Sequence, residues 1–203
     1  MEIFCLTPRS FGSNCYLLLS GSSAAVVDPS VSAEEITALA AHKGATIECI
    51  ILTHGHFDHV DSLDTLRDAT LAPAYIHKDD AEMLSDGMKN AHSLFFGYAK
   101  KWRDAERLLE DGDEITLGGE VIKVISTPGH SKGSVCLLCG DKLITGDTIF
   151  AGGYGRYDLY GGSISQLTDS LSSLRELDRR LTIYPGHGGT ATLGEALDNL
   201  LYY

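Results

Sequence analysis

Apolar residues recur along the chain with two periods: short runs of strand length, and longer stretches in which they return every three or four positions. Residues 3–6, 15–19 and 24–27 are strand-like, the last ending at Asp28-Pro29. A helix is predicted from Ser32, which stands three residues before Glu35 in a capping-box arrangement. Its apolar positions Ile36, Leu39 and Ala40 share a face, and Gly44 stops it. The run 47–52 reads as a strand, 58–67 as a turn into the next helix, 71–77 as a short strand and 78–84 as a helix. From 115 to 143 strands alternate with glycine turns at Gly118-Gly119 and Gly140-Asp141, and 181–184 is a further apolar run. An amphipathic helix is predicted over 163–177, with Ile164, Leu167, Leu171, Leu174 and Leu177 on one face, and a short one over 193–201. This is the pattern of a layered α/β domain, without repeat, low-complexity tract or linker, so residues 1–203 are expected to form one domain. The segment 85–106 departs from it, carrying Gly87, Gly97, Phe95, Phe96, Tyr98 and Trp102; loops of this length often cover active sites, and simple packing of a surface loop is the alternative.

The chemistry concentrates at strand ends. Thr53-His54-Gly55-His56-Phe57-Asp58-His59 packs four metal-ligand residues behind the run 47–52. His130, Asp147 and His187 each follow another apolar run, and open α/β sheets place their sites at such ends. His54 and His56, two apart in extended chain, point the same way and with His130 make a three-histidine set. Asp58 and His59 with His187 make a second set, and the two oxygens of Asp147 can serve both. Imidazole nitrogen and carboxylate oxygen suit zinc, iron or manganese, and seven such groups are enough for two ions. Two ions carrying a hydroxide between two carboxylates leave a small positive charge, which favours a neutral or anionic substrate.

These motifs resemble a metallo-β-lactamase-fold hydrolase, and within that superfamily the sequence is most similar to the glyoxalase II-like (hydroxyacylglutathione hydrolase-like) group. The matching elements are Val27-Asp28-Pro29, Thr53 to His59, Thr127-Pro128-Gly129-His130, Thr145-Gly146-Asp147 and Pro185-Gly186-His187, in the family's order. The resemblance implies a four-layer αββα sandwich with the metals at one edge of two sheets. It implies one ion on His54, His56 and His130, another on Asp58, His59 and His187, and Asp147 bridging. A basic residue that binds the glycyl carboxylate of glutathione in such enzymes matches Arg156, making it the expected substrate contact, with Tyr154 and Tyr157 beside it; the alternative is an Arg156 paired structurally with Asp158. The resemblance stops at the end of the chain. Typical glyoxalase II enzymes carry a helical C-terminal domain that completes the glutathione site, and only sixteen residues follow His187. Lys132 stands where the family commonly has proline.

Composition narrows the function. A chain of 203 residues can bury well over half of its unfolded surface, and a 43% hydrophobic fraction is ordinary for a soluble protein. No apolar run approaches the roughly 20 residues needed to span a bilayer, and the N-terminal stretch from Met1 to Arg9 lacks a signal-peptide pattern. Five cysteines without framework spacing point to a reducing compartment, so the expected location is cytoplasmic. Cys136 and Cys139 spell CxxC, but residues three apart in a strand face opposite sides. A net charge of −12 without a basic run argues against nucleic acid and for a small-molecule substrate.

The other histidines have structural readings: His42 at a helix end, His77 as a cap, His92 as a packing or solvent-facing residue. Asp28 is open between bracing the ligand histidines and forming the turn before Pro29. The expected mechanism is attack on an activated carbonyl by a metal-bridging hydroxide, with Asp58 taking the water's proton. The expected substrate is a thioester of the hydroxyacylglutathione type, and the cofactor two divalent ions, zinc in the first place. A lactonase and a one-metal, iron-dependent persulfide dioxygenase are the alternatives on the same ligands. A non-catalytic metal-stabilised domain is disfavoured by the presence of all seven. Asp147→Ala is expected to abolish two-ion binding and most activity; metal analysis showing wild-type content would remove its bridging role.

Overall fold

In the computed structural model, which describes residues 1–8 and 12–200, alternation along the strands sends apolar side chains to two faces. Six strands form the first sheet in chain order: β1 (Glu2–Leu6), β2 (Cys15–Ser20), β3 (Ser23–Val27), β4 (Thr46–Ile51), β5 (Ala74–His77) and β6 (Arg107–Leu109). β1 to β3 are antiparallel neighbours, and β3 to β6 are parallel. The second sheet, in the order β12-β11-β10-β9-β8-β7, contains β7 (Glu114–Leu117), β8 (Glu120–Ser126), β9 (Val135–Cys139), β10 (Lys142–Gly146), β11 (Thr182–Pro185) and β12 (Ala191–Thr192). There β10 and β11 run parallel, and the other pairs are antiparallel.

Three apolar clusters separate four layers. Tyr16, Leu18, Val27 and Ile51 of the first sheet meet Ile122, Val124, Leu137 and Ile144 of the second in the middle cluster. Their neighbours Leu17, Leu19, Val26 and Ile50 point outward, against α1 (Ala33–His42) and α2 (Leu63–Thr70). On the far side Leu143 and Ile183 pack with Leu167 and Leu171 of α5 (Ile164–Ser173) and Leu193 and Leu197 of α6 (Leu193–Asn199). The short α3 (Ala81–Leu84) and α4 (His92–Phe96) fall between β5 and β6. The result is the αββα sandwich that the resemblance implies. Among the described residues no helix is long and apolar enough to cross a membrane.

Local signals act as read, with some changes of boundary. The Ser32 side chain accepts from the Glu35 amide at 3.2 Å, while the reciprocal capping box forms at Thr192 and Glu195 instead. The predicted strand 71–77 shortens to β5 because Leu71 takes the left-handed cap of α2, where it is exposed. The helix over 78–84 is a 3₁₀ turn followed by α3, and that over 163–177 is α5 followed by a 3₁₀ turn, with Ile164 exposed. Segment 85–106 is not wholly irregular, since it contains α4. Cys136 and Cys139 join different clusters, as residues on opposite faces must. Leu201, the end of the predicted last helix, and Arg9 lie outside the described residues.

One close approach fixes the layer beneath the future site. Gly129 has φ of +136°, and a Cβ there would lie 2.2 Å from the backbone nitrogen of Leu167 in α5. Gly129→Ala is expected to cost about 1–3 kcal/mol of stability, because both the backbone conformation and the helix contact oppose the methyl group. Urea unfolding with wild-type midpoint would refute that account.

Candidate metal centre

Four strands end at one edge of the sandwich and deliver the seven predicted ligands. His54 and His56 follow β4, and Asp58 and His59 occupy the turn ahead of α2. His130 follows β8, Asp147 follows β10 and His187 follows β11. Within the second sheet these three strands share one direction, so their C-terminal ends coincide. Gly186 completes the approach, since a Cβ at that position would lie 2.2 Å from Asp147 Oδ1.

Buried hydrogen bonds engage the Nδ1 atom of three of the five rings. Asp28 is 1% exposed and accepts from the Thr53 amide at 2.8 Å, the Thr53 hydroxyl at 2.6 Å and His59 Nδ1 at 2.8 Å. Having donated to Asp28, the Thr53 hydroxyl accepts from His54 Nδ1 at 3.1 Å. His130 Nδ1 donates to the carbonyl of Arg156 at 2.6 Å. With Nδ1 donating, the Nε2 atoms of His54, His59 and His130 are left to present lone pairs, as the hydrogen-bond acceptors behind metal-binding histidines arrange. Asp28 thus braces the ring nitrogens, at a φ of 52° that a short polar side chain tolerates better than most.

A second buried carboxylate joins the ligand loops. Asp80, 1% exposed, accepts from the Gly55 amide at 3.1 Å, the Ser131 hydroxyl at 2.6 Å and the Gly133 amide at 2.7 Å. It ties the loop of His54 and His56 to the loop of His130. Sequence reading missed it. Nothing in His77-Lys78-Asp79-Asp80 separates it from its exposed neighbour, because its partners, two backbone amides and the Ser131 hydroxyl, are distant in the chain.

The lone pairs converge. His54 Nε2 lies 3.2 Å from His130 Nε2, and His56 Nδ1 lies 2.8 Å from the same atom. Asp147 Oδ1 is 3.4 Å from His59 Nε2, while Oδ2 is 3.6 Å from His130 Nε2 and 3.5 Å from His187 Nε2. Asp58 Oδ2 is 3.4 Å from His187 Nε2. Buried His56 Nε2, His59 Nε2 and Asp147 Oδ1 have no hydrogen-bond partner. Three groups result, His54/His56/His130, His54/His59/Asp147 and Asp58/His59/His187, with ligand atoms within 4.8 Å of one another in each. This donor set fits divalent ions of the zinc, iron and manganese type.

Electrostatics agree. Burial pushes His54 well below the ordinary histidine range and His56 down to about 3, with neighbouring imidazoles adding to the effect. Burial opposes ionisation of Asp147, but His59 and His187 hold it well below the usual carboxylate range. The carboxylates of Asp147 and Asp28 raise His59 against its burial, and hydrogen bonds to Asp147 and Asp58 raise His187 to about 9. The carboxylates thus supply the negative charge that cations require.

A cavity of about 380 Å³ opens onto this cluster, with Asp58, Asp147 and His187 on one side and Phe57, Phe95 and Phe150 on another. Phe95, from α4, brings the 85–106 segment to its wall. Arg156 also lines it, whereas Tyr154 packs against the third apolar cluster and Tyr157 lies exposed outside the lining. Lys132 Nζ sits 5.6 Å from the Tyr160 ring centroid, away from the lining. His92 is buried and bonds the Tyr98 carbonyl at 2.8 Å, and His77 caps the turn at Asp79. Neither joins the centre.

Comparison with known proteins gives concordant results. The Metallo-beta-lactamase superfamily model matches residues 9–187. The probable metallo-hydrolase YqgX of Bacillus subtilis is 34% identical over 179 residues, covering 87% of this chain and 85% of that one. The crystal structure of the BLEG-1 B3 metallo-beta-lactamase superposes with a TM-score of 0.90 at 30% identity, covering 97% of both chains. That of TTHA1623 in a di-iron-bound form gives 0.85 at 32% identity over 100% of both.

The brace can be tested directly. Asp28→Asn places an amide NH₂ among three donors, and metal affinity is expected to fall about 10–100-fold. Competition against a chromophoric chelator measures it, and an unchanged affinity would show that Asp28 serves only the turn.

Proposed function

The chain belongs to the metallo-beta-lactamase superfamily and is a metal-dependent hydrolase of that superfamily, and from this premise we propose that it cleaves acyl thioesters. The observation that carries the reading is the pair of imidazole nitrogens, His54 Nε2 and His130 Nε2, facing each other at 3.2 Å beside a largely apolar cavity while each ring's Nδ1 is engaged behind it. His54, His56 and His130 would hold one ion and Asp58, His59 and His187 the other, with an oxygen of Asp147 turned towards each set. When bound, such ions lower the pKa of water towards about 7 and polarise a carbonyl oxygen.

The chain's own residues supply the rest. Asp58 lines the cavity, and its carboxylate, kept ionised against burial by the hydrogen bond to His187, takes the proton of an attacking water. Phe57 and Phe150 give the cavity apolar lining beside Asp58 and His187. Asp28 holds the His59 ring, and Asp80 ties together the loops that carry His54, His56 and His130, so little reorganisation is needed during reaction. Zinc is the proposed metal, with iron as its competitor on the same donors; the di-iron form of TTHA1623 supports that competition.

The test is thiol release from a thioester panel, lactoylglutathione included, by protein of assayed metal content. Metal-dependent release is expected, lowered roughly a hundredfold or more in His54→Ala. Fully loaded protein that releases no thiol from any member would overturn the thioester reading.

A further inference from the structure

Two cations stand beside the centre, and each is already matched by a carboxylate. Arg156 lines the first cavity, but its Nε and Nη2 donate to Asp158 Oδ1 and Oδ2 at 2.7 and 2.8 Å. Lys100 lines a second cavity of about 340 Å³ that shares Phe57 and Asp58 with the first. Its Nζ pairs with the Asp61 carboxylate and also donates to the Asp61 carbonyl at 3.3 Å. Among the described residues lining the two cavities there is no other lysine or arginine. The lining of the first cavity also includes the apolar Phe57, Phe95, Phe150 and Leu159, and the Arg156 guanidinium lies 5.9 Å from the Phe95 ring centroid.

A neutralised cation does not attract an anion from a distance, and a ligand carboxylate must displace one already held by two charge-assisted hydrogen bonds. The chain's net charge of −12 adds repulsion. We infer that the cleft takes a thioester with an apolar acyl group and an uncharged thiol arm, and that the Arg156–Asp158 pair disfavours an anionic arm such as that of glutathione. This rests on the thioester reading above and narrows it to a substrate class. It also decides between the two readings of Arg156, for the ion pair with Asp158 and against the carboxylate anchor.

Asp158 is exposed, and such surface pairs contribute little to stability, so its replacement is expected to leave the fold intact. Two non-hydrolysable thioethers with the same hexyl group, S-hexylglutathione and S-hexyl-N-acetylcysteamine, are titrated calorimetrically into zinc-loaded full-length protein. Wild type is expected to bind the neutral thioether about tenfold more tightly, and Asp158→Asn to narrow that ratio roughly three- to tenfold by freeing Arg156. Phe95→Ala is expected to weaken both by about tenfold, and Phe95→Leu to restore most of the loss. Tighter binding of S-hexylglutathione by wild type, a ratio unmoved by Asp158→Asn, indifference to Phe95→Ala, or no binding of either compound would each overturn the inference. Thiol release from hexanoyl-N-acetylcysteamine on the same sample reads the hydrolase assignment separately: binding with the expected preference but no release would sink that assignment and leave the cleft's selectivity standing.

Discussion

Imidazole lone pairs aimed at one another inside a protein repel unless positive charge lies between them, and this constraint organises the molecule. Left alone, His54 and His130 would turn their protonated nitrogens inward. They do not, because Thr53 and the Arg156 carbonyl claim those protons from behind. Asp28 does the same for His59 and anchors the Thr53 hydroxyl as well. The geometry of the centre is thus set by acceptors that never reach the cavity.

The sandwich exists, from this point of view, to bring such acceptors into register. Parallel β3 and β4 place Asp28 beside Thr53 at adjacent strand ends, and parallel β10 and β11 do the same for Asp147 and His187. Asp80, after β5, reaches across to the loops on either side. The middle cluster then holds the two sheets in one alignment, so a histidine from the first meets a histidine from the second within hydrogen-bonding distance.

How much of this was legible in the sequence depended on distance along the chain. His54, His56, Asp58 and His59 lie within six residues, and His130, Asp147 and His187 each follow an apolar run, so both the cluster and the fold could be read. Asp28 could not be decided, because a brace and a turn former look alike before a proline. Asp80 was invisible, since its partners, two backbone amides and the Ser131 hydroxyl, are brought to it by tertiary packing. β6 and β12, of three and two residues, were too short to show periodicity. Arg156 could be placed near the cavity by resemblance, and the sequence left it open between a substrate contact and a partner of Asp158; the bidentate bonds take the second course. Tyr154, two residues away, turned into the third cluster through tertiary packing that no local pattern encodes.

The candidate ligands come from both sheets, and an unfolded chain cannot bring them together. An ion that binds only the folded form stabilises it by mass action, by about 4 kcal/mol at a thousandfold excess over its dissociation constant. The centre is therefore also a fastener across the sandwich. A cell short of metal would lose more than turnover: the unfastened sheets would open more often, and proteases would thin the population of the chain itself.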